Sequence, residues 1–106
     1  LGLVRRAMLD YDRVLFRHKD AMQQDLAALE LAWRDIAASD QPLRELAGMV
    51  ASARWTLVAA LRRRESRGIH QRSDLPLTDP DLTRRIRVQG LDHPCAIVEP
   101  RLEAAA

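Results

Sequence analysis

The chain has 106 residues, with 17 Lys plus Arg against 15 Asp plus Glu, a formal net charge of +2 and 47% apolar residues. That length bounds it to one domain, and the apolar share is too high for intrinsic disorder over most of it. Its small net charge excludes a large positive field for nucleic acid. With Cys95 as the one cysteine there is neither an internal disulfide nor a thiolate metal site.

No apolar run approaches the ~20 residues a bilayer span needs, and Arg5 and Arg6 interrupt the N-terminal apolar stretch, so no signal peptide is read and no membrane insertion is expected. A reducing cytoplasmic setting fits these features. The chain begins at Leu1 in a segment that already reads as helix, which suggests a fragment of a longer protein or a processed one.

In chain order, Val4, Met8, Tyr11 and Leu15 share one face and predict a first helix from Leu3 to about Arg13. Asp20, with Gln23 three residues later, predicts the N-cap of a second helix running to Ala38. Met22, Leu26, Leu29, Trp33 and Ile36 form its seam, spaced for packing against neighbouring helices, with Trp33 expected in the core against Leu57 and Leu61. Ser39 and Asp40 end it. The third helix is expected from Gln41 to Arg64 or slightly beyond, with Pro42 in the first turn. Its stripe is Leu43, Leu46, Val50, Leu57, Val58 and Leu61. Ala47, Ala51, Ala53, Ala59 and Ala60 allow close approach, and Gly68 is the expected C-terminal stop with φ > 0.

Beyond Gly68 the prolines at 76, 80, 94 and 100 prevent long helices. Ile86-Arg87-Val88 and Ala96-Ile97-Val98 alternate as short strands, with Asp92-His93-Pro94 as a turn. The fold class these readings predict is all-α. It is a three-helix antiparallel bundle, spectrin-repeat-like, over residues 1–67, with an extended, mostly non-helical arm over 68–106.

Arg62, Arg63, Arg64 and Arg67 crowd one helix end. Such a cluster most simply complements the helix dipole, at about 0.3–1 kcal/mol per charge; a phosphate patch or carboxylate clamp is the functional reading. Aromatic residues do not interleave with it, so nucleic-acid binding is not favoured. His18, His70 and His93 lie in three segments without metal-ligand spacing, so no metal site is predicted. Ser66 and Ser73 near His70 lack a nucleophile elbow, so no catalytic residue is assigned.

The order of residues from Ala60 to Asp79 is more specific. Arg63, Glu65, Ser66, Arg67, Gly68, His70, Arg72, Asp74, Pro76 and Asp79 fall within 17 positions. They match a pattern like Arg-x-Glu-Ser-Arg-Gly-x-His-x-Arg-x-Asp-x-Pro-x-x-Asp. This resembles the C-terminal helical domain of the flavoprotein family that covers succinate dehydrogenase and fumarate reductase flavoprotein subunits and L-aspartate oxidase. Met8 through Arg17 loosely resembles that family's first helix and turn. Departures at Val14-Leu15-Phe16 and Asp81-Leu82-Thr83 leave the subfamily open.

The resemblance implies an FAD-dependent oxidoreductase as the parent protein, with FAD and catalysis in preceding domains. It implies no catalytic, cofactor-binding or metal residue in this stretch, which contains no Gly-x-Gly-x-x-Gly. Glu65, Ser66, Arg67, Gly68, His70, Arg72 and Asp74 become a structural or docking motif, part of it left exposed when its partner is missing. The implied partner is the FAD-binding domain of the same chain, with a partner subunit or a homodimer mate as further options. The former would allow a peripheral place at the inner membrane. The alternative is a free-standing helical adaptor that docks a protein through its Arg-rich end.

Overall fold

The computed structural model describes residues 2–9, 16–40 and 43–100. Three helices, α1 (Gly2–Leu9), α2 (Lys19–Ala38) and α3 (Arg44–Arg62), precede a 3₁₀ turn at Pro80–Leu82 and two strands, β1 (Ile86–Gln89) and β2 (Cys95–Val98). The body is mostly helical, and the two strand segments read from the sequence pair into a small two-stranded sheet beside the helices.

The 3.5-residue seam does its expected work on α2. Met22 and Leu29 are buried, and Leu26, Trp33 and Ile36 pack against them from the margin. From α3 come Val50, Ala53, Leu57 and Ala60, and from α1 Val4 and Ala7. The alanines bring backbones close, so a short α1 packs on both longer helices. Trp33 stands at the rim rather than in the core, because its indole N–H needs a polar partner and finds one in the carboxylate of Asp92, 3.1 Å away.

Helix ends differ from the sequence reading. His18, not Asp20, is the N-cap of α2, its Nδ1 accepting from the Asp20 N–H at 3.1 Å. The C-cap is Ser39, as expected. α3 begins at Arg44 after Leu43; the Pro42 expectation, like those for Tyr11, Arg13 and Leu15, lies outside the described residues. α3 stops at Arg62, with Arg63 as C-cap, five residues before Gly68 turns left-handed at φ 57°. Gly68 therefore does not end the helix. It sits first in a two-residue turn whose flanking residues exchange both backbone hydrogen bonds, Arg67 N–H to His70 O at 2.7 Å and the reverse at 2.9 Å. A glycine at that position is what a II′ turn requires.

The two strands pair antiparallel, Ile86 with Val98 and Gln89 with Cys95. Ile86 and Val88 are half-buried while Arg87 and Gln89 face out, the alternation of a sheet packed on one side, here on α3. Gly90 opens the turn at φ 95°, and a Cβ there would lie 2.6 Å from the His93 carbonyl oxygen. Three side chains hold this turn. Trp55 Nε1 donates to Gly90 O at 2.7 Å, Trp33 to Asp92, and Arg54 to the Leu91 and Asp92 carbonyls. Arg54 has no solvent exposure. It also makes a two-point ion pair with Glu30 at 2.8 and 3.0 Å, and its guanidinium lies 4.8 Å from the centre of the Trp33 ring. Among the described residues no helix is long and apolar enough to cross a membrane.

Candidate functional site

The chain leaves α3 at Arg63 and reverses twice before residue 79, and polar side chains fill that exit. Glu65 is the centre. It is fully buried and accepts from Arg63 Nη1 at 2.6 Å, Arg67 Nε at 3.0 Å and the Asp79 N–H at 2.8 Å. Burial alone would raise its pKa. The hydrogen bonds from Arg67, the Asp79 amide and Arg63, with the Arg67 charge, outweigh that and lower it to about 2. Each arginine then reaches a further stretch of backbone: Arg63 the Leu82 and Arg84 carbonyls at 2.8 and 2.7 Å, Arg67 the Asp79 carbonyl at 3.0 Å. One carboxylate thus ties the helix exit to residues 79–84.

Ser66 is buried beside it. Its N–H donates to Leu77 O at 3.1 Å, and its hydroxyl donates to Leu75 O at 2.8 Å while accepting from the Arg72 N–H at 2.9 Å. A hydroxyl with this much hydrogen bonding to its own loop is structural, and no base approaches it as a nucleophile requires.

Arg72, 3% exposed, pairs at two points with Asp74 at 2.7 and 3.1 Å and donates to the Leu61 and Arg63 carbonyls at 3.1 and 3.2 Å. Those carbonyls are the ones a helix C-terminus leaves without partners, so Arg72 performs the capping expected of Gly68. Against burial, which raises it, the Arg72 hydrogen bond and charge hold Asp74 below its usual range, helped by backbone amides including that of Lys19 at the start of α2.

His70 is buried, with Nε2 3.1 Å from the Arg63 carbonyl and Nδ1 2.7 Å from Arg17 Nη1. A carbonyl only accepts and a guanidinium only donates, so the ring is neutral with its proton on Nε2. Burial lowers its pKa; the Arg63 carbonyl opposes this, and the charges of Arg17, Arg72 and Arg63 reinforce it. Arg17 closes the arrangement through its backbone, taking Gln71 O at 2.8 Å and receiving the Ser73 N–H at 2.7 Å.

The structure therefore brings Glu65, Ser66, Arg67, Gly68, His70, Arg72 and Asp74 together at one helix exit. Arg62 and Arg64 stay exposed and outside the cluster. Glu65, Ser66, His70 and Arg72 are buried by this chain's own loops, while Gly68 is exposed and the Arg67 side chain is 36% exposed. Arg17 and Arg63 were not assigned to the motif from sequence. Arg17 lies 53 residues from His70, so nothing local signals it; Arg63 stood in the matching pattern and could have been assigned from it. No group of three or more His, Cys, Asp or Glu able to hold a metal is present among the described residues.

The helical body with this exit cluster matches the family described as fumarate reductase flavoprotein C-term over residues 4–89. The chain belongs to that family, the C-terminal domains of succinate dehydrogenase and fumarate reductase flavoproteins and of L-aspartate oxidases. It is similar to an L-aspartate oxidase of Rhodospirillum rubrum, 41% identical over 71 residues that cover 67% of this chain and 24% of that protein. The chain thus spans about a quarter of the length of that relative. No solved structure matches it.

Proposed function

We infer that this chain is the structural and docking domain of an FAD-dependent oxidoreductase, of succinate dehydrogenase, fumarate reductase or L-aspartate oxidase type, with no catalytic centre of its own. The helical body over 1–67 carries the arm over 68–106, and the FAD-binding domain of the same polypeptide is the partner. The observation that carries this reading is the fully buried Glu65 with two arginines and an amide on it. Its donors hold backbone, so the motif's charged groups fix a shape instead of facing a substrate. A buried ion cluster of this kind specifies geometry more than it adds stability. The L-aspartate oxidase relative supports an oxidase parent.

The test is expression of the complete polypeptide and of these 106 residues separately, followed by absorbance spectroscopy and assays with aspartate, succinate and fumarate. The complete polypeptide is expected to carry a flavin band and to turn over one of the three; the 106 residues are expected to do neither. Flavin retained by the short chain overturns the docking reading. A complete polypeptide without flavin would favour the adaptor alternative.

A further inference from the structure

Eight large apolar side chains are exposed among the described residues, and the three most exposed lie on the segments that build the helix-exit cluster: Ile69 at 86%, Leu77 at 81% and Phe16 at 66%. Their backbones are coupled. Ile69 occupies the II′ turn between Arg67 and His70; Leu77 O accepts the Ser66 N–H; Phe16 precedes Arg17, whose N–H and C=O pair with Gln71 and Ser73. Single exposed apolar residues need no explanation, but three on one hydrogen-bonded scaffold do. In the loops that carry them Glu65, Ser66, His70 and Arg72 are buried and hydrogen-bonded, so these loops are held in shape before anything binds.

We propose that Ile69, Leu77 and Phe16 are the apolar anchors by which this chain docks onto the flavin-binding part of its own polypeptide. The occupant follows from the family, a flavoprotein's C-terminal part, and from the relative, of which this chain matches only 24%. The proposal rests on the reading above and names the residues that make the contact. A buried apolar centre with aromatic or aliphatic anchors, held on a rigid support, is what such a contact needs.

The experiment uses the complete polypeptide. In it, Ile69→Asp combined with Leu77→Asp is compared with Ile69→Leu and with Leu31→Asp, a control on α2 that is 61% exposed. The readout is the rate of protease cutting upstream of residue 4, with helicity by circular dichroism as a check on folding. The double aspartate variant is expected to be cut roughly tenfold faster or more at unchanged helicity, the ratio that 1.4 kcal/mol of lost docking produces. Ile69→Leu and Leu31→Asp are expected to match the wild type. Unchanged cutting of the double variant in a flavin-loaded polypeptide overturns this surface alone. A wild-type polypeptide without flavin overturns the reading above and this occupant with it. If the double variant instead converts a dimer to a monomer without faster cutting, a second copy covers the surface and the proposal falls.

Discussion

Glu65 shows how one side chain can make a stretch of loop depend on pH. Its folded pKa is about 2 against an ordinary 4.5, so the charged form is the one the fold stabilises. A depressed pKa contributes stability that is complete above the unfolded value and lost as the pH falls through the folded one. Stability should therefore drop by roughly 3 kcal/mol between pH 4.5 and 2 on this group's account. In Glu65→Gln that segment of the pH profile should flatten. The variant should also be about 3–5 kcal/mol less stable at neutral pH, because Arg63 and Arg67 lose their anion in a buried site. Urea denaturation of both proteins across pH 2–7 checks this, and a parallel pair of curves contradicts it.

At the scale of elements, α2, α3 and the β1–β2 turn are joined through Arg54. Removing its guanidinium strands the Leu91 and Asp92 carbonyls, releases Glu30 and leaves the Trp33 ring without its cation. Arg54→Ala should cost about 3–5 kcal/mol, as breaking a buried ion pair does. Arg54→Lys should recover little of it, because one ammonium cannot replace the planar fork. Chemical denaturation gives the cost, and amide hydrogen exchange in residues 90–93 should rise in step. Burial of Arg54 has a signal in the sequence, visible in retrospect. The α3 stripe skips from Val50 to Leu57, and Arg54 occupies the helical position between them. Charge hides it, since an arginine is rarely fully buried unless paired, and its partners stand 24 to 38 residues away.

For the whole molecule, the family match ends at residue 89, yet β2 and the turn before it pack on α3 and receive the indole N–H groups of Trp33 and Trp55. Chain truncated after Gln89 should lose the two carbonyl partners of Arg54, the acceptors of both tryptophans and the strand that pairs with β1 together. Its melting temperature should fall by more than the ~4–8 °C that one kcal/mol removes from a domain of this size, with near-ultraviolet dichroism of the tryptophans reduced. An unchanged melt would show that residues 90–98 rest on the body without supporting it.

Local patterns in the sequence determined the helical seams of α2 and α3, the two strand segments, the left-handed Gly68 and the grouping of the motif from Glu65 to Asp74. Each depends on residues within about one or two turns of chain, where side-chain period and backbone preference act directly. Tertiary structure decided the rest. Capping of α2 passed to His18, capping of α3 to Arg72 instead of Gly68, and Trp33 moved to the rim to reach Asp92. It also decided that Glu65 is buried and that Arg17 meets His70. A buried polar group must find a donor or acceptor wherever the fold provides one, and that partner's distance along the chain carries no local signature.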